Sequence, residues 1–203
     1  DYGFYWYFYP DGSIEGEGRL TGIDSNGVGP AGVDATDTNG EYAIVAPQRK
    51  TPIHQHHFNF RLDFDIDDTP NQVKEVHNEP VGSERKNGFR AAETLLETEQ
   101  EARDDIDPLK GKHWRVESTE TTNSYGRACG YKLEPHTNVS SPAKPTSSTI
   151  KRAGFLEHNF WATQYDEDEQ YAAGDYPNQN DETDGLATWA EQDRNLDGED
   201  VVL

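Results

Sequence analysis

Between Ile53 and Asp67 the chain alternates without a break. His54, His56, Phe58, Phe60, Leu62, Phe64 and Ile66 share one parity, and Gln55, His57, Asn59, Arg61, Asp63, Asp65 and Asp67 share the other. A period of two is the mark of a β-strand with one covered face, because successive side chains in a strand point to opposite sides. The pattern predicts a strand over residues 53–67 with its imidazoles and apolar side chains inward. At about 3.3 Å per residue, His54 and His56 stand about 6.6 Å apart on that face, close enough for both rings to lean onto one metal ion. The aspartates lie on the opposite face and further along, where they could serve a second, harder cation. Against these readings stand two packed strand histidines and a solvated acidic strand end.

The same pattern organises the rest. Tyr2–Tyr9 places Phe4, Trp6 and Phe8 on one face and Tyr5, Tyr7 and Tyr9 on the other, which predicts a central strand covered on both sides. Pro10-Asp11-Gly12 predicts a turn, and 13–23 a returning strand. Strands are further expected at 42–46, 71–79, 113–118, 130–133, 153–165 and 198–203, with a connector at 47–52. Residues 88–102 contain good helix formers, but their surroundings favour strand. Loops are expected at 24–40, 137–148 and 166–184, and a helical turn at 185–190. Many strands, frequent turns and few convincing helices define an all-β chain, a large antiparallel β-sandwich.

Composition narrows the function classes. Acidic residues number 39 against 18 basic ones, for a net charge of −21. Nucleic acid is excluded as a partner, since binding it needs clustered Lys and Arg. Plentiful aromatics argue for a folded domain rather than acidic disorder. The charge suits high salt, which screens self-repulsion, so a halophilic source is expected. The single cysteine, Cys129, allows no internal disulfide framework. No apolar run approaches a membrane span or a signal peptide, so a soluble protein, cytoplasmic or secreted, is expected. Because the chain starts at Asp1 rather than Met, it is expected to be a processed product or a piece of a longer polypeptide. Asn138-Val139-Ser140 is a glycosylation sequon, and 193–198 fits the first half of a calcium loop, but no helical pattern frames the latter.

Several segments, taken in order, carry a resemblance. They are Asp-Tyr-Gly-Phe-Tyr-Trp-Tyr-Phe-Tyr at residues 1–9, His54-Gln55-His56 running into Phe60-Arg61-Leu62-Asp63, and Gly130-Tyr131-Lys132-Leu133. Arg152-Ala153-Gly154-Phe155 leading to Phe160-Trp161-Ala162-Thr163 follows, and then residues 193–202. His-Gln-His alone is a weak signal, whereas followed by Arg-Leu-Asp behind that aromatic strand it is highly specific. The chain resembles the C-terminal catalytic domain of the copper-containing primary amine oxidases, the topaquinone enzymes.

The resemblance implies an oxidative deaminase that turns a small primary amine and O2 into aldehyde, ammonia and hydrogen peroxide. It implies that residues 1–203 are part of that domain. The chain would begin just after the tyrosine that becomes topaquinone and end before the third copper histidine, with the catalytic aspartate base upstream. Asp1 and Tyr2 match the last two positions of the quinone motif Asn-Tyr-Asp/Glu-Tyr. His54 and His56 match the first two Cu(2+) ligands, with Gln55 and Asn59 as groups that could orient them. The Asp63 and Asp65 side chains, the Phe64 carbonyl, the Asp200 side chain and the Val201 carbonyl match a second cation site for Ca(2+) or a similar ion. A homodimer is also implied, with residues 71–103 as a candidate arm. Two rival functions remain: a non-catalytic copper- and calcium-binding β-sandwich, and an acidic carbohydrate-associated module that binds calcium only.

Overall fold

The computed structural model describes residues 1–29, 31–32, 40–136, 138–179 and 184–203. Parts of the loops expected at 24–40, 137–148 and 166–184 lie outside the described residues. The chain divides into two compact units, residues 1–56 and 57–203.

The first unit contains two small sheets. Strands β1 (Tyr2–Phe8) and β2 (Ile14–Leu20) form an antiparallel hairpin in the register Tyr2↔Leu20 to Phe8↔Ile14. Its turn is the expected one. Gly12 sits at φ 87°, Asp11 Oδ1 accepts from the Ser13 N–H at 2.9 Å, and Tyr9 N–H donates to Ser13 O at 3.0 Å. The expectation of a strand covered on both sides fails. Phe4, Trp6 and Phe8 keep 53%, 46% and 75% of their surface exposed, because a two-stranded ribbon presents both faces. The second sheet has the order β3 (Gly27–Val28), β5 (Arg49–Pro52), β4 (Tyr42–Ala46). Residues 49–52, read as a connector, are a strand instead. Gln48 takes a left-handed turn at φ 56°, which folds the chain back into a hairpin with β4.

The second unit is built on a four-stranded antiparallel sheet ordered β10 (Ala128–Leu133), β9 (His113–Thr122), β7 (Asn71–Pro80), β8 (Phe89–Leu96). Residues 88–102 therefore resolve as a strand followed by a turn, in which Ala102 N–H donates to Thr98 O at 3.1 Å. A three-stranded sheet, β11 (Thr163–Gln164), β12 (Val201–Val202), β6 (Asp63–Phe64), shares its core. Val73, Leu96, Trp114 and Val116 from the larger sheet meet Val201 from the smaller one, with Phe160, Ala162 and Leu196 between. Trp114 stacks on Phe160 at 4.2 Å between ring centres, and its indole N–H donates to Asp104 Oδ2 at 3.0 Å. Phe64 and Ile66 pack against this core.

Two long expected strands are much shorter in the structure. Over 53–67 only Asp63–Phe64 is a strand, although Leu62 and Leu203 exchange two backbone bonds of 2.9 Å just before it. Alternation holds from Leu62 to Asp67: Leu62, Phe64 and Ile66 are half-buried and the aspartates exposed. It fails over 54–60, where His57 is the half-buried residue and the others are exposed. A strand is a pairing as well as a parity, and no regular ladder runs along 53–61. Over 153–165 the chain makes a 3-10 turn at Gly154–Glu157 and only β11, two residues long. Its apolar side chains still reach the interior: Phe160, Trp161 and Ala162 are buried. A short helix α1 (Ser148–Arg152), capped by the Ser147 hydroxyl, closes the 137–148 loop, and α2 (Leu186–Trp189) is the expected helical turn.

A buried ion pair fastens the far end of this unit. Glu99, fully buried, accepts from Arg194 Nε at 2.7 Å, from the Arg194 backbone at 2.9 Å and from Gln164 N–H at 3.1 Å. Arg194 also reaches Glu169 at 2.7 Å, so the guanidinium joins the segment after β8 to the acidic loop, while Glu99 itself accepts from β11. Such a pair costs desolvation but is strongly destabilising to break from the arginine side, because Glu99 alone is a buried uncompensated charge.

Candidate metal centres

The first cluster lies in the first unit. Its residues follow directly on β5, whose last residue, Pro52, offers its carbonyl to the His54 ring: Nδ1 lies 3.0 Å from Pro52 O. That contact turns the opposite nitrogen outward. His54 Nε2 and His56 Nε2 face each other 2.9 Å apart, with ring centres separated by 4.8 Å. Two ring nitrogens each about 2.0–2.1 Å from one ion, at a right angle, are about 2.9 Å apart. The spacing therefore fits joint ligation of a transition metal by two imidazoles, the donor type that suits Cu(II). The other side of His56 is held by β1, where the Tyr2 hydroxyl lies 3.1 Å from His56 Nδ1 and the rings meet edge-on at 5.5 Å. Pro52 and Tyr2 are thus the groups in contact with the two rings.

The second cluster lies in the second unit and is built by strand pairing. β6 and β12 run antiparallel in the register Phe64↔Val201 and Asp63↔Val202, which sets Asp65 opposite Asp200. The carboxylates of Asp63, Asp65 and Asp200 each bring an oxygen within 4.8 Å of the others. Asp200 Oδ1 is buried and has no hydrogen-bond partner. Burial, and then the neighbouring Asp63 and Asp65 charges, push the Asp200 carboxyl above its ordinary range. A buried oxygen without a donor beside two like charges is the environment a hard cation relieves. Phe64 and Val201, at the paired centre of β6 and β12, bring their backbone to the same place.

Among the described residues no other group of three or more His, Cys, Asp and Glu converges in this way. His77 lies between Glu75 at 2.6 Å and Glu79 at 3.9 Å, and His158 contacts Asp105 at 3.2 Å. Among the described residues no helix is long and apolar enough to cross a membrane.

The profile of the copper amine oxidase enzyme domain matches residues 1–203, the whole chain. The chain belongs to the copper amine oxidase family. Among its relatives is a copper-containing diamine oxidase from Nicotiana tabacum, named as peroxisomal, at 42% identity over all of this chain and 26% of its own length. Another is the histamine oxidase of Arthrobacter globiformis, at 39% identity over all of this chain and 30% of its own. The crystal structure of a copper-containing benzylamine oxidase from Hansenula polymorpha superposes with a TM-score of 0.90 at 26% identity, over 99% of this chain and 32% of that one. The chain therefore spans between about a quarter and a third of these proteins' length, and its mostly antiparallel β architecture matches part of the benzylamine oxidase structure.

The resemblance places Tyr2 beside the quinone position, and nothing in the sequence marks it as a partner of His56. The two lie 54 positions apart, and no local spacing signals the contact. The Glu99–Arg194 pair was missed for the same reason, at a separation of 95.

Proposed function

We propose that this chain is part of the catalytic domain of a copper amine oxidase, in which His54 and His56 supply two copper ligands and Asp1 and Tyr2 follow the quinone-forming tyrosine. The observation that carries the reading is the family match along all 203 residues. The 2.9 Å approach of two Nε2 atoms supports it. Bound copper and topaquinone would supply the oxidation of a primary amine by O2 and water to aldehyde, ammonia and hydrogen peroxide. The chain's own part is to hold and orient. The Pro52 carbonyl keeps the His54 proton on Nδ1, which leaves Nε2 as the donor atom. Cations are favoured around a chain of net charge −21, and that field draws in a protonated amine before it loses its proton.

Asp63, Asp65 and Asp200, with the backbone of Phe64 and Val201, form a second site for calcium or a similar hard cation. The unpartnered Asp200 oxygen supports this assignment. A homodimer and a high-salt environment complete the reading, the latter resting on the charge alone.

The test is peroxide release from the native-length protein with a panel of primary amines, alongside copper content and the visible quinone absorbance. Copper binding lost in His54→Ala together with amine-dependent peroxide supports the reading. A protein that binds copper but yields neither quinone nor peroxide would reduce it to a cation-binding scaffold. Added Ca(2+) should raise the thermal midpoint of the wild type and leave Asp200→Ala unmoved; equal responses would remove the second site.

A further inference from the structure

We propose that Asn138 is a site of N-linked glycosylation: its side-chain amide, on the loop between β10 and α1, accepts an oligosaccharide from a polyprenyl diphosphate carrier. The inference is independent of the copper reading.

Only one asparagine of the sequence is followed at the second position by serine or threonine, and it is Asn138, in Asn138-Val139-Ser140. Neither the intervening Val139 nor the following Ser141 is proline, so the chain is free to bend there as the acceptor motif requires. Three residues match by chance often, so their placement decides. Asn138, Val139 and Ser140 are all exposed, Val139 at 71%, and none lies in a helix or strand. A transferase has to seat the acceptor in its own groove. A surface loop outside any ladder can enter that groove, whereas a strand fixed in a sheet cannot.

The chemistry asks for two uncommitted side chains, an amide nitrogen to attack and a hydroxyl two residues on for the enzyme to hold. Other asparagines have already given up the amide. Nδ2 donates to a backbone carbonyl at Asn26, Asn71, Asn78 and Asn195. Several serines have likewise given up the hydroxyl: Ser118, Ser141 and Ser147 accept from nearby backbone N–H groups. Among the described residues no hydrogen bond joins Asn138, Val139 or Ser140 to anything.

The charge pattern points the same way. Acids make up 39 of 203 residues, yet none falls between Glu134 and Glu157, where the only fixed charges are Lys144, Lys151 and Arg152. This stretch lacks the carboxylates that hydrate the rest of the surface, and a neutral, hydrated glycan supplies that solvation instead. In the transfer, Asn138 Nδ2 forms a bond to the anomeric carbon of the donor. The bond from that carbon to the diphosphate oxygen breaks, and the diphosphate leaves with the electron pair. One amide proton passes to a base, and nothing is oxidised or reduced. The donor and its enzyme act outside the cytosol, so the site assigns the chain to a secretory or cell-surface route.

The test is peptide mass spectrometry of the native-length protein purified from the organism that makes it. Trypsin should release residues 133–151 as one peptide, since Pro145 protects Lys144. Its mass should exceed that of the sequence by a series of sugar units, with fragmentation placing them on Asn138. Expressed in the same host, Asn138→Gln and Ser140→Ala should both return the peptide to its sequence mass, and Ser140→Thr should keep the sugar. The three positions are exposed, so each variant should retain the wild-type thermal midpoint once the sugar is removed from all. An unmodified peptide from the native source overturns the inference. So does a sugar that survives Asn138→Gln, which would place it on a hydroxyl of the Ser- and Thr-rich residues 146–149 instead.

Discussion

Asp193 shows how much one side chain can be asked to do at a turn. It is one of three non-glycine residues with positive φ among the described residues, at 55°. Its carboxylate accepts from Thr98 and, at 3.1 Å, from the Gln100 N–H, and these bonds hold it below the ordinary carboxylate range. A depressed folded-state value means that the unfolded chain takes up the proton first. Asp193 therefore adds stability above its unfolded value of about 3.9, and that contribution is lost as pH falls through the lower folded value. Asp193→Asn keeps an acceptor and tolerates the left-handed backbone but cannot titrate. The thermal midpoints of wild type and Asp193→Asn should differ most near neutrality and converge below about pH 4. Parallel curves across that range would mean that the charge contributes nothing. At this scale the sequence was informative wherever function depends on near neighbours. A spacing of two brought His54 beside His56, and Asp63 beside Asp65. The Tyr2 hydroxyl and the Asp200 oxygen act across the fold, and no local pattern announces such contacts.

Among the elements, β9 and β10 leave no room for a side chain at Gly130. A Cβ there would stand 2.3 Å from Val116 O and 2.9 Å from Glu117 Cα, beside the register shift between Ala128 and Gly130. Gly130→Ala should cost about 1–3 kcal/mol in denaturant titration, since backbone must move to admit the methyl. Gly18→Ala on β2, whose Cβ would meet only Phe4 at 3.9 Å, should be close to neutral. Similar losses in both would point to glycine's general effect in strands rather than to the close approach. Elements were legible where parity and partner coincide, as in β1 with β2 and in β7, flanked on both sides. They were misread where only one of the two was present. His54 to Phe60 has the parity without a regular ladder, and Ala153 to Tyr165 has apolar side chains that enter the core from a turn. At 49–52 a strand without apolar parity arose because Gln48 reversed the chain.

For the molecule as a whole, a net charge of −21 sits on a surface with many carboxylates and few cations. Some of the cations are spent on buried acids: Arg194 on Glu99, and Lys74 at 2.8 Å and Arg115 on Glu117. With 39 acidic residues against 18 basic ones, mutual repulsion of the acids is compensated only in part. With a screening length of about 30 Å at 0.01 M and 3 Å at 1 M, molar NaCl should relieve it. The thermal midpoint should rise steadily between those concentrations, and a flat response would remove the basis for a halophilic source.

The division of the chain between His56 and His57 also bears on how its chemistry can diverge. The convergent nitrogens lie on one side of a single peptide bond and the convergent carboxylate oxygens on the other. An exchange of residues 57–203 between homologues would move the three carboxylates together and leave both imidazoles in place.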